Sequence, residues 1–241
     1  MTGSSLILDT LSGWLNLSRM SPAESGKNWK RARSPEQIEV RRKSILSAAA
    51  ELLDSGGIEA AGLSAIARKA GLSKANLYRY FESREAILMK LLIEELRAWS
   101  DDFQRELAEA PGRRNLEDLA DLLGGSVARR PRFCLLFASM AVVLEQNLSI
   151  EAVSAGRREL KDQLSELVLP LSEAVPELSD SQLLEFLSMH SVFLAGLWPT
   201  ANPPKTIRLA LENPELTELS VKFESRIAAH ALVLLRGLEA S

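Results

Sequence analysis

The sequence predicts an all-α protein, built as an N-terminal three-helix unit with a helix-turn-helix, followed by a larger all-helical domain. Three observations predict it. Apolar residues recur at helical spacing from Ile38 onward, no stretch reads as a strand, and Pro or Gly clusters separate the periodic segments. The composition is that of a globular protein: 46% apolar and 25% charged residues, with 10 Pro and 13 Gly in 241 residues. That length admits one large domain or two modest ones.

Taken in order, residues 1–34 are expected to form a flexible basic arm. The first 26 mix Ser, Gly and Pro, and Lys27 to Arg33 then carries four cations in seven residues. Ser34-Pro35-Glu36 suits a helix start with Pro at its first position. Ile38, Ile45, Ala49, Leu52 and Leu53 define one face of a first helix from about Pro35 to Asp54, closed by Asp54-Ser55-Gly56-Gly57. A second helix is expected from Leu63 to Ala70, stopping at Gly71, and a third after Ser73, a good N-cap. A fourth starts near Glu82 or Ser83 and runs through Ile87, Leu88, Leu91, Leu92, Leu96 and Trp99, long enough to bridge two modules.

Beyond Pro111-Gly112, helices are expected near 115–129, 131–146, 149–171, 179–197 and 214–236, separated largely by prolines. The segments Ser181–Trp198 and Leu216–Leu235 are apolar on more than one face, so each must be covered nearly all round.

Charge is distributed unevenly. Residues 27–90 hold 13 Lys and Arg against 7 Asp and Glu, a net +6, while residues 91–241 hold 15 against 23, a net −8. This asymmetry points to a basic module that meets a polyanion, joined to an acidic module with another task. Single Cys134 excludes an internal disulfide and a thiolate zinc site, and two His make a multi-histidine metal site implausible, so neither metal nor cofactor is expected. The longest nearly uninterrupted apolar stretch, Phe133 to Leu144, is shorter than the roughly 18 to 20 residues of a membrane span, and no basic, apolar leader is read at the N-terminus. These features lead to the expectation of a cytoplasmic protein.

Gly71 between two short helices is what a helix-turn-helix requires, because Gly removes the side-chain clash at the steep turn. The helix after it carries Lys74, Asn76, Tyr78, Arg79 and Tyr80, polar and aromatic groups able to reach base edges and phosphates, while Leu72 and Leu77 face inward. Between Gly62 and Arg84 stand five cations and one anion, Glu82.

The run Ile66-Ala67-Arg68-Lys69-Ala70-Gly71-Leu72-Ser73-Lys74-Ala75-Asn76-Leu77-Tyr78-Arg79-Tyr80-Phe81-Glu82-Ser83-Arg84-Glu85-Ala86-Ile87-Leu88 resembles the signature of the tetracycline-repressor (TetR) family of bacterial transcription regulators. The resemblance extends back through Ile45, Leu46, Ala49, Leu52, Leu53, Gly57 and Ile58, and covers about residues 38–98. It implies a DNA-binding domain over residues 35–84 and a helical effector-binding and dimerisation domain over 99–241. It also implies a homodimer that places its third helices in the major groove of a palindromic operator and leaves when a small apolar or amphipathic effector binds.

Carried over by position, Lys74, Ala75, Asn76 and Arg79 sit where the family reads bases or adjacent backbone, and Tyr78, Tyr80 and Arg84 where it touches phosphates. Physical chemistry agrees. Arg or Lys suits guanine O6 and N7, Asn suits adenine, and the Ala75 methyl suits a thymine methyl. The family usually opens its second helix with Thr or Ser, whereas Ala61-Gly62 stands here; Ser64 either substitutes for that hydroxyl or approaches a base. Lys30, Arg31 and Arg33 of the arm either reach DNA or only solubilise the tail.

In the larger domain, Trp99, Phe103, Phe133, Phe137, Met140 and Phe193 are the candidates for an effector pocket, although core residues share their spacing. His190 and His230 read as interior or interface residues. Cys134 reads as a small buried apolar side chain, with a redox-sensing thiol as the alternative. Helices 179–197 and 214–236 are the expected dimer interface, since a second copy would cover their excess apolar surface; the rival is that both are central helices of a monomer. An enzyme is not expected, and no catalytic residue is assigned: the chain lacks a phosphate-cradling glycine loop, a two-histidine metal motif and a nucleophile elbow. A protein-binding adaptor would explain the helices but not the basic, aromatic third helix.

Overall fold

A computed structural model describes residues 34–109 and 112–241; the arm expected at 1–34, with Lys30, Arg31 and Arg33, lies outside the described residues except for Ser34. Its helices are α1 (Pro35–Ala60), α2 (Leu63–Lys69), α3 (Lys74–Leu77), α4 (Arg84–Glu109), α5 (Leu116–Ala128), α6 (Pro131–Ser139), α7 (Ile150–Ser165), α8 (Val168–Ala174), α9 (Asp180–Ala201), α10 (Lys205–Ala210) and α11 (Phe223–Glu239). No strand occurs among the described residues.

The first helix bends where its glycines stand. Gly57 takes the left-handed conformation at φ 67°, so α1 is regular only up to that point. Ile45, Leu46, Ala49 and Leu53 lie on its inner face and are buried with Ile66, Ala67, Leu77 and Phe81 of the next elements. This is the core of the three-helix unit.

The fourth helix is the spine of the molecule. It packs against α1, then against α6, α7 and α5 along its length, burying Ile87, Leu91, Leu92, Leu96, Trp99, Phe103 and Leu107. It runs unbroken through residue 98, so the three-helix unit and the larger domain share one continuous element. Helices α5 and α11 lie closely side by side, because Gly124 presents no side chain to Ala228: a Cβ at 124 would stand 2.8 Å from the Ala228 Cβ.

Four helix boundaries differ from those expected. The segment 149–171 is two helices, since Pro170 cannot donate to the carbonyl four residues back; the break at Glu166-Leu167 places it in the first turn of α8, where no donor is needed. The segment 131–146 ends in a π-helical turn over Met140–Leu144, closed by a Glu145 amide bond to the Met140 carbonyl at 3.1 Å. Helix α9 continues past Pro199 to Ala201, which forfeits one backbone bond near its end. The last helix starts at Phe223 rather than near 214. Ahead of it, the Asn213 side chain accepts from the Glu215 amide and the Thr217 hydroxyl donates to the Asn213 carbonyl, local bonds that compete with helix formation. The short helix α10 falls between Pro204 and Pro214, where the sequence pattern predicts no helix.

Candidate nucleic-acid interface

Gly71 makes the turn between α2 and α3 at φ 67°, with the Leu72 amide closing back onto the Ala67 carbonyl at 2.8 Å. Ser73 caps α3, its hydroxyl accepting from the Asn76 amide at 3.2 Å. The helical bonding continues past Leu77: the Tyr78 amide bonds Lys74 and the Phe81 amide bonds Leu77. Residues 74–81 therefore form one short helical segment with two faces. Leu77, Tyr80 and Phe81 are buried, while Lys74, Ala75, Asn76, Tyr78 and Arg79 are exposed together. Tyr78 is 54% exposed, which its neighbour Leu77, fully buried, shows to be a matter of helix face.

Ser64 is also exposed, on α2, whose N-cap Gly62 makes no side-chain bond. Arg68 adds an exposed cation on the same helix, and Arg41 and Lys43 stand exposed on α1. Exposed cations can follow a phosphate backbone, and the exposed Lys74, Asn76 and Arg79 are residue types that can bond base edges.

Two residues assigned to phosphate contact are placed otherwise. Tyr80 is only 8% exposed and belongs to the core of the three-helix unit. Arg84 is half-buried and turns back into the protein: its Nε donates to the Ala61 carbonyl at 3.0 Å and its Nη2 to the Ile58 carbonyl at 2.5 Å. Its charge satisfies carbonyls left without partners where α1 ends, a demand that helix spacing does not reveal. Sequence reasoning also missed Arg42, which lies over the Phe81 ring at 4.5 Å and donates to the Tyr80 carbonyl at 3.0 Å, steadying the end of this helical segment.

The six pocket candidates do not enclose one space. Trp99 stacks on Phe103 and Phe133, and Phe137 lies tilted against Phe133, with neighbouring ring centroids 5.5 to 5.7 Å apart in this buried aromatic row. The Trp99 Nε1 donates to the Ser126 hydroxyl at 3.0 Å. Met140 opens the π turn, and Phe193 belongs to a different cluster, stacked face to face on His230 at 3.8 Å. A cleft of about 570 Å³ has Trp99 as its one member of the six. Its lining also includes the apolar Leu53, Leu135 and Trp198 and two sets of opposite charge, Asp54, Glu95, Asp102 and Glu106 against Arg129, Arg130 and Arg132. No group of three or more His, Cys, Asp or Glu able to hold a metal occurs among the described residues. None of their helices is long and apolar enough to cross a membrane.

Comparisons with known proteins agree with the helical fold. Residues 45–91 match the family of bacterial regulatory proteins, tetR family, and residues 93–241 match the tetracyclin repressor-like C-terminal domain. An uncharacterised HTH-type transcriptional regulator of Mycobacterium tuberculosis is 35% identical over 85 residues; the match spans 35% of this chain and 41% of that protein's length. The HTH-type transcriptional repressor KstR of Rhodococcus jostii is 27% identical over 168 residues, 69% of this chain and 76% of that protein. A crystal structure described as that of a possible TetR family transcriptional regulator from Streptomyces coelicolor A3(2) shares the fold with a TM-score of 0.55 at 19% identity, covering 83% of this chain and 98% of its own. The short helical segment at residues 74–81, the continuous α4 and the helical domain beyond it fall within those matches, and the chain belongs to the TetR family of bacterial transcriptional regulators, DNA-binding proteins rather than enzymes.

Proposed function

We propose that this regulator is a ligand-responsive repressor, which binds a palindromic operator as a homodimer and is released by a small apolar or amphipathic effector. The observation that carries the reading is the exposed set Lys74, Ala75, Asn76, Tyr78 and Arg79 on one face of a capped segment whose other face is fully buried. Those five residues, with Ser64, make the DNA contacts; Arg84 and Tyr80 hold the segment in place from behind.

The dimer is formed by α9 and α11. Leu184, Met189 and Val192 on α9 and Val233 on α11 are exposed, Val192 and Val233 by more than 70%. Met189 and Val233, with Glu185, His230, Leu234 and Leu238, border a groove between the two helices, which a second copy of the pair would cover in a four-helix arrangement. Twofold symmetry then matches a palindrome, with recognition segments one turn of DNA apart, roughly 34 Å.

The cleft lined by Trp99, Leu135 and Trp198 is the effector site favoured by position, since α4 forms one wall and its first turn directly follows the reading segment. An effector displaces DNA only by preferring a conformation in which the two segments are wrongly spaced.

Selection of bound sequences from a random duplex pool tests this reading, alongside the mass of the protein in solution. An inverted repeat bound by a particle of twice the chain mass is the expected outcome. An asymmetric site bound by a monomer would refute it.

A further inference from the structure

Between α5 and α6 the chain reads Arg129-Arg130-Pro131-Arg132, three cations in four residues of an otherwise acidic domain. Arg130 is the N-cap of α6 and Arg132 its second residue, so both stand at the positive end of a helix, where cations are disfavoured. A local preference broken in this way calls for a compensating partner.

The partners come from two other helices. Glu95, Asp102 and Glu106 lie at spacings of seven and four along one face of α4, with Trp99 between them. Arg129 pairs with Glu106 and Arg130 with Asp102, which keeps both within the larger domain. Arg132 differs: its Nε and Nη2 take the two oxygens of Asp54 at 2.9 and 2.7 Å, and its Nη1 takes Glu95 at 2.7 Å. Asp54 lies near the end of the regular part of α1, in the three-helix unit, one residue from the buried Leu53.

We propose that Arg132 is a positioning residue that couples the two domains, its fork fixing the angle of α1 against α4 and passing any displacement of α6 to the DNA-reading unit. The proposal rests on the operator-binding reading and adds to it the route by which the larger domain sets recognition-segment spacing. Two points favour this role over simple stabilisation. Arg132 and Asp54 have side chains 30% and 51% exposed, and ion pairs so open to water add little to stability. A two-point guanidinium-carboxylate contact instead restricts direction, which a single bond does not. All three members also border the cleft, so an occupant that moves α6 or Glu95 acts on the clamp directly.

The test compares Arg132→Gln, Asp54→Asn, the double variant and Arg132→Lys on full-length protein. One readout is affinity for the selected operator and for a version with one base pair added between its half-sites. The clamp predicts that either single change lowers the ratio of the two affinities by about fivefold or more, within the range of site-to-site coupling. The double variant should be no worse than the singles, and Lys, which keeps charge but not the fork, should recover only part of the ratio. Additive effects, or an unchanged ratio in both singles, would overturn the proposal. A second readout needs no DNA: hydrogen exchange at residues 50–56 should quicken in Arg132→Gln while α9 and α11 keep wild-type protection. Unchanged exchange there would refute the clamp even in a protein that binds its operator; faster exchange in a protein that selects no sequence would uphold the clamp and refute the operator reading.

Discussion

The Nε of Arg84 donates to the carbonyl oxygen of Ala61 at 3.0 Å, tying the first residue of α4 to the connection between α1 and α2. Arg79, five residues earlier, is exposed. Two arginines close in sequence therefore do different work, one inside the three-helix unit and one at its surface. Arg84→Ala is expected to cost about 1.5 to 3 kcal/mol of stability, the range for hydrogen bonds to a charged group. Arg79→Ala should leave stability within about 0.5 kcal/mol and reduce discrimination against mutated operators by about 1 to 3 kcal/mol. Denaturant unfolding and operator titrations separate the two, and equal stability losses would contradict the assignment.

The Nδ1 atoms of His190 and His230 stand 3.2 Å apart, and Nε2 of His190 is buried with no hydrogen-bond partner among the described residues. Burial, and then the charge of His230, push the His190 pKa down to about 4; burial lowers His230 as well. An unfolded chain titrates both near 6.5. Below that pH it takes up protons that the folded protein refuses, so stability is full above about 6.5 and declines until His190 protonates near 4. The loss from His190 amounts to about 3 kcal/mol at 1.36 kcal/mol per pKa unit. Unfolding free energies at pH 7.5, 5.5 and 4 for wild type and His190→Asn check it: wild type should lose more across that window. Parallel curves would rule out the His pair as the cause.

Gly124 faces Ala228 across the α5 and α11 contact, and a Cβ there would also stand 3.1 Å from the Glu224 backbone carbonyl, which cannot swing aside. Gly124→Ala should therefore destabilise by roughly 1 to 3 kcal/mol despite the better helix propensity of Ala. Adding Ala228→Gly should return only part of that loss, because the carbonyl remains. A neutral or stabilising Gly124→Ala would mean that α5 and α11 are not packed this closely.

Cys134 is fully buried, its thiol facing the Val127 carbonyl at 3.5 Å, and burial pushes its pKa up to about 12. At pH 8 only roughly one molecule in ten thousand carries the thiolate, the reactive form. A thiol reagent should label the native protein at the rate of its unfolding, and the denatured protein at once. Rapid native labelling would revive the redox-sensing alternative.

The periodic pattern disclosed most helices because their buried faces repeat every three to four residues, and Gly71 and Ser73 disclosed the turn because each meets a local backbone demand that only a few residue types satisfy. Which side of residues 74–79 stays exposed was legible for the same reason. Tyr80 and Arg84 were not, since a family position or a charge does not tell which way a side chain turns once Ala61 and Ile58 offer it unpaired carbonyls. Nor was the split of Phe193 from the Trp99 stack, which depends on how α9 meets α11 rather than on spacing within either. The Arg132 clamp joins residues 78 positions apart and left only an indirect trace, cations at the wrong end of a helix.

The central claim is sequence-specific DNA binding through residues 74–79, and its most direct test is a titration of the purified protein against a labelled fragment from upstream of its own gene, with unrelated DNA as competitor and salt varied. The account predicts competitor-resistant binding by wild type and loss of that resistance in Arg79→Ala, which should retain the weak, salt-sensitive binding common to all sequences. Binding that competitor removes equally from both proteins would contradict it.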